Sequence, residues 1–173
     1  TRRALEAALG GSMPRHSASN FGVRLAANLL RTRPWHAYAV LEVGIARSGW
    51  MGAFAKMLAP DVVVVTSIRS EHNRAFPTLE ATRAEKARMV HALPPHGLAV
   101  LNGDDPHVRW MATQTRARVL TFGFGEANTV RATGVRLDWP VGTRFTLQAD
   151  GESRELRTRL LGHHMVYPIL AAV

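Results

Sequence analysis

Carboxylates, amides, hydroxyls and one imidazole recur in this chain just where short apolar runs end. Glu42 sits in LEVG, Thr66, Ser67, Glu71 and His72 follow VVVV, and Asn102, Asp104 and Asp105 close or follow GLAVL. In open α/β sheets, ligands bind beyond the carboxyl ends of the strands, because loops and helix N-termini converge there. Hard oxygen donors with one histidine are the set that takes magnesium or manganese together with phosphate. Taken singly, each residue has a plain structural use: Glu42 can cap a helix, His72 can be a solvated loop histidine, and NGDD is a good turn in any protein. The coincidence of three strand ends is what points to chemistry.

Lys86 is anomalous for its position. In a helix over 79–93 it lies seven residues after Leu79, three before Met89, four before Val90 and seven before Leu93. That spacing puts it on or beside the apolar stripe. A lysine there must snorkel its amine to solvent, pair with an anion, or be chemically altered. Snorkelling is the plain alternative; a functional lysine facing the strand ends, reactive because desolvated, is the other.

These residues need elements to position them. The runs 38–43 (YAVLEV), 61–68 (DVVVVTSI) and 97–102 (GLAVLN) are strand-like. Runs apolar on both faces suit parallel strands covered on each side by helices, and the spacers are long enough for helical crossovers. Residues 48–58 and 79–93 have helical periodicity and stop before Pro60 and Pro94, while 106–115 opens with Pro106. The expected class is a doubly wound, mostly parallel α/β sheet flanked by helices. After Gly123 the texture becomes short alternating runs, 130–137, 143–149 and 152–160, separated by 140–142 and by Asp150-Gly151. Asp-Gly is a strong hairpin signal, so a small antiparallel β appendage is expected in the C-terminal third. Residues 164–173 read as the first turns of a helix.

With 173 residues, 46% hydrophobic and 20% charged, residues 1–173 form one ordinary globular domain. No apolar run reaches the ~18 to 20 residues that cross a bilayer, and the N-terminus lacks a signal peptide's apolar stretch, so the cytoplasm is the expected compartment and no membrane partner is expected. The absence of cysteine excludes a disulfide framework, a zinc ribbon and a thiol nucleophile. A net charge of +9 raises the question of nucleic acid, but lysine occurs only at 56 and 86 and the arginines are scattered. A compositional bias toward arginine accounts for that better than a phosphate-directed surface.

The order LEVG, AFAKMLAPDVVVVTSIRSEH, TLEATRAEK, GLAVLNGDDP, GHHMVYPILAAV resembles the central ATP-binding domain of the Mur ligase family, the amide-bond ligases of peptidoglycan precursor assembly and their relatives. The resemblance covers nearly the whole chain and is closest in texture to members that add a dipeptide to a UDP-linked muramoyl tripeptide. It implies ATP and Mg2+ as cofactors, with Glu42 as the magnesium-binding glutamate of E-x-G and His72 as a second-magnesium ligand. It also implies that Lys86 is carbamylated, becoming a carboxylate-like metal ligand and a catalytic residue. Asn20 then falls near a substrate or cofactor contact, and Asn102 and His164 on the nucleotide. The implied reaction is ATP-driven: a substrate carboxylate attacks the γ-phosphate, and an amine of the incoming amino acid or dipeptide displaces the resulting acyl phosphate.

The departures matter too. No G-x-x-G-K-T-T loop is present, and the chain opens at Thr1 with what looks like the helix after it. Ser67 stands for the family's asparagine, Glu71 for its aspartate, and Met165 and Pro168 for both asparagines of G-x-H-N-x-x-N. The expectation is a fragment of a larger ligase, inactive alone, whose phosphate loop and flanking domains lie elsewhere. Two rivals stay open: a Mur-like ligase making a poly-amino-acid or other amide, and a non-catalytic α/β module holding nucleic acid or a partner.

Overall fold

The computed structural model describes residues 22–69 and 76–173. Its elements are α1 (Gly22–Leu30), α2 (Trp50–Leu58), β1 (Val62–Val65), α3 (Leu79–His91), β2 (Leu98–Asn102), α4 (Pro106–Trp110), a 3₁₀ turn (Met111–Gln114), β3 (Arg118–Gly123), β4 (Val130–Asp138), β5 (Gly142–Ala149), β6 (Glu152–Thr158), a second 3₁₀ turn (His163–Met165) and α5 (Val166–Leu170). The strands form one sheet in the order β1-β2-β3-β4-β5-β6.

β1 to β4 pair in parallel, with Val63 beside Ala99 and Ala99 beside Val119. The β1–β2 and β2–β3 pairs are joined by crossovers, α3 in the first and α4 with its 3₁₀ turn in the second, whereas β3 and β4 pair only at Phe122–Val130 and Gly123–Arg131 and are joined by the short loop 124–129. Successive strand side chains point to opposite faces. Val63, Ala99 and Leu101 therefore join Leu25, Met51, Phe54, Val90 and Val108 in one core. Val64, Val100 and Phe122 pack on the other face with Val166 and Leu170 of α5. Helices thus cover both faces, which is why VVVV is apolar throughout. No helix of the described residues is long and apolar enough to cross a membrane.

The helix ends follow from their caps. Thr78 Oγ1 accepts from the Ala81 N–H at 3.1 Å to start α3, with Glu80 in its first turn and Arg88 and His91 in its last. Both charge placements favour the helix dipole. Asp105 caps α4 ahead of Pro106. The helix expected over 106–115 tightens to 3₁₀ geometry after Trp110.

The run 38–43, expected as a strand, is not a strand of this sheet. Leu41 and Val43 still pack against the first core, and Ile45 is buried in it. Its apolar side chains thus go to the core, and among the described strands β1 pairs only with β2. Conversely, β3 (RVLTFG) was not anticipated: it lies between two partners and its alternation is broken by threonine and glycine.

The antiparallel strands extend the main sheet, because β4 touches β3 through Phe122–Val130 and Gly123–Arg131 before pairing with β5. Asp150 and Gly151 both take positive φ, 51° and 80°, the backbone that an Asp-Gly hairpin turn requires. Arginines here meet nearby carboxylates: Arg131 with Glu126 at 3.5 Å, Arg144 with Asp138 at 3.0 Å, Arg154 with Glu152 and Arg157 with Glu155 at 3.3 Å. Exposed pairs of this kind add little stability.

Candidate functional site

Beyond the carboxyl ends of β1 and β2 lies a cleft of about 530 Å³. Thr66 to Arg69 form one wall, Asn102 with Asp104 to His107 form the floor, and His164, Tyr167 and Pro168 close the far side. A second hollow of about 300 Å³ lies by the β5–β6 hairpin and contains none of the candidate site residues named from the sequence.

The NGDD turn builds this cleft. Asn102 is buried, donates from Nδ2 to the Thr66 carbonyl at 2.8 Å and accepts from the Asp104 N–H at 3.0 Å, tying the ends of β1 and β2 together. Asp105 accepts from the Ile68 N–H at 2.9 Å through Oδ2, and from the His107 and Val108 N–H groups at 2.9 and 3.2 Å through Oδ1. It thereby holds the loop after β1 against the start of α4.

Asp104 reaches furthest. Its Oδ2 accepts from the Phe124 N–H at 2.6 Å and the Tyr167 hydroxyl at 3.0 Å, while its Oδ1 accepts from the Gly125 N–H at 3.0 Å and Asn128 Nδ2 at 2.9 Å. Two bonds on each oxygen fill the carboxylate's acceptor capacity. Asp104 is therefore framework here, not one of the free strand-end oxygen donors suggested by the sequence. Burial works to raise its pKa, but the Phe124 and Gly125 N–H groups, Asn128 and Tyr167 outweigh it and hold the carboxyl below its ordinary value. Burial first, then the hydrogen bond and charge of Asp104, push the Tyr167 phenol up to about 12.

The two shifts have opposite consequences. The folded chain favours the neutral phenol, so this stabilisation is whole below pH 10.0, the ordinary value, and is lost as pH rises through about 12. The Asp104 contribution is whole above 3.8 and is lost as pH falls below it. Urea denaturation of wild type and Tyr167→Phe from pH 8 upward should show a difference in stability that shrinks between the two phenol values. A constant difference would mean that the hydroxyl bond is not made.

Gly123 explains how Asp104 fits. A Cβ at Gly123 would lie 2.5 Å from the Asp104 carboxylate atoms. Gly123→Ala should therefore cost about 1–3 kcal/mol, the usual penalty for overpacking, in urea denaturation.

Among the residues proposed from the sequence, Asn102 and His164 line this one cleft. His164 is exposed, its ring folds back over Gly162, and neither the second 3₁₀ turn nor α5 takes a side-chain cap. Glu42 is exposed between the packed Leu41 and Val43. Lys86 is half-buried on α3 beside the buried Thr82, Met89 and Val90. Asn20, Glu71 and His72 lie outside the described residues. Among the described residues no three His, Asp or Glu side chains group to hold a metal. The exposed Glu42 carboxylate fits magnesium as an oxygen ligand, whereas the Lys86 ammonium fits only after conversion to a carbamate.

Two residues escaped the sequence argument. Tyr167 serves the cleft wall, and its only sequence signal is a tyrosine on an otherwise aliphatic helical run. Glu85, beside Lys86, is only 4% exposed and accepts from the Met51 N–H at 2.9 Å.

A family model described as the Mur ligase middle domain matches residues 5–173. The UDP-N-acetylmuramoyl-tripeptide–D-alanyl-D-alanine ligase of Mycobacterium tuberculosis (strain ATCC 25618 / H37Rv) is 35% identical over 135 residues, covering 78% of this chain and 26% of that protein. The Escherichia coli (strain K12) ligase of the same name is 29% identical over 146 residues, covering 83% and 32%. Among solved structures, MurF from Acinetobacter baumannii superposes with a TM-score of 0.87 at 23% identity, over 98% of this chain and 37% of that one. MurF ligase from Thermotoga maritima in complex with ADP superposes at 0.83 and 20% identity, over 98% and 40%. These two superpositions show a shared fold. The chain spans between 26% and 40% of the length of these four proteins.

Proposed function

Since this chain belongs to the Mur ligase family through its middle domain, we propose that it handles the nucleotide for an ATP-dependent amide-bond ligase of peptidoglycan precursor synthesis. The observation that carries this reading is the cleft, where Asn102 and His164 meet Thr66 and Arg69 beyond the carboxyl ends of two parallel strands. The ligase substrates are a UDP-linked muramoyl tripeptide and D-alanyl-D-alanine, the pair named for the relatives, and the compartment is the cytoplasm, where ATP is supplied.

In this reading Glu42, His72 and carbamylated Lys86 hold magnesium, and Asn20 contacts substrate or cofactor. Bound magnesium offsets charge around the transferring phosphoryl group. Arg69 places a cation at the cleft wall, and Asn102 keeps the two strand ends together around the nucleotide. His164 is the one side chain of its motif left to hydrogen-bond the base, because proline has no N–H and a thioether is a weak acceptor. The loss of both motif asparagines favours a second reading, a relative that makes another amide, and a panel of acceptor amines in the ligase assay separates the two.

Calorimetric titration with ATP and GTP in magnesium tests the nucleotide assignment. The 173 residues hold no G-x-x-G-K-T-T, so binding weaker than roughly 0.1 mM is expected, about −5.5 kcal/mol. Each missing base-edge bond is worth ~1 kcal/mol, so ATP should be little preferred over GTP. A strong ATP preference that survives His164→Ala would mean the base is read elsewhere, and no binding at millimolar nucleotide would overturn the reading.

A further inference from the structure

α2 starts without a cap of its own. Its N-cap is Gly49, at φ 85°, with no side chain to accept from the first turn. The first N–H groups of a helix need acceptors from somewhere, and a buried one without a partner is costly. Here the acceptor comes from a distant residue: Glu85 Oε1 takes the Met51 N–H at 2.9 Å, while Oε2 pairs with Arg88 Nε at 3.3 Å. A carboxylate 4% exposed is an expensive group to bury unless it is paired and hydrogen-bonded, as this one is. Glu85 is also the residue immediately before Lys86, and the segment it pins through Met51 descends from Glu42 by way of the buried Ile45.

We propose that Glu85 is a positioning residue, capping α2 from α3 so that the 42–50 segment carrying Glu42 is held in fixed relation to Lys86. This rests on the reading of Glu42 and Lys86 as magnesium ligands. The cap acts through geometry: it needs an acceptor oxygen at that site and no charge in particular, so glutamine can supply it and alanine cannot.

Two readouts on this chain test it: amide hydrogen exchange across residues 42–51, and Mn2+ affinity with ADP by electron paramagnetic resonance. Glu85→Ala should speed exchange over 42–51 at least tenfold while β2 and β3 stay protected, and weaken Mn2+ binding about tenfold. Glu85→Gln should keep both within about threefold of wild type. Unchanged exchange in Glu85→Ala overturns the cap, and faster exchange with unchanged Mn2+ affinity overturns its link to the metal. Glu42→Ala is the separating control: if it leaves Mn2+ affinity intact, the ligand assignment has failed, and the exchange data still decide whether Glu85 holds the segment.

Discussion

Arginine in place of Lys86 is expected to abolish carbamate formation and cut metal affinity by about 10–100-fold or more, the scale on which even outer partners of a metal site act. The same change should move stability by no more than about 0.5 kcal/mol. Lys86 is half-buried beside Thr82, Met89 and Val90, and an arginine stem covers the same apolar surface, so packing survives. The chemistry does not survive. A neutral lysine amine attacks the carbon of CO2, an N–C bond forms, a proton leaves to water, and a cation becomes an anion with two ligand oxygens. Guanidinium stays charged and offers no such nucleophile. Among the described residues no carboxylate pairs with Lys86. With 13C-labelled bicarbonate, the wild type should show a carbamate carbon resonance that Lys86→Arg lacks, and Mn2+ titration should show the affinity loss. Wild type with an unmodified amine and undiminished metal binding would leave Lys86 as a snorkelling side chain.

Much of the frame was legible because it rests on local rules. VVVV and GLAVLN are apolar on both faces and became β1 and β2, Thr78 and Asp105 stand where caps are needed, and Asp150-Gly151 supplies two positive φ angles. The errors lie where the outcome depends on a partner far along the chain. Residues 38–43 carry a strand's pattern yet form no strand of the described sheet, and β3 lacks the pattern yet is paired on both sides. The site shows the same division. The rule about strand ends found Asn102, Asp104 and Asp105, but residue type alone could not say that their oxygens are used to tie loops together. Lys86 looked like the misplaced charge on α3, although the more deeply buried one is its neighbour Glu85, whose acceptance from Met51 spans 34 residues.

Removing the Asp104 carboxylate tests how far that framework holds the cleft open. Asp104→Ala should cost about 3–5 kcal/mol, because it strands several donors at once and an unpartnered buried donor costs about 1–3 kcal/mol. The Phe124 N–H, Gly125 N–H, Asn128 amide and Tyr167 hydroxyl all lose their acceptor. The total falls below four full penalties since Asp104 is half-exposed and water can reach some of these groups. Asp104→Asn should fall between alanine and wild type: its amide keeps one acceptor oxygen but turns an N–H pair toward N–H donors. The β3–β4 connection and α5 are gripped by the same carboxylate, so the loss should also loosen the wall that carries Tyr167 and Pro168. Tyr167 reports this directly. Its phenol, raised to about 12 by burial and then by Asp104, should titrate closer to 10.0 in Asp104→Ala, as followed by tyrosinate absorbance. A stability loss under about 1 kcal/mol together with an unmoved phenol would show that the bonds around Asp104 are replaceable by water, and that α5 is seated by its apolar contacts through Val166, Ile169 and Leu170.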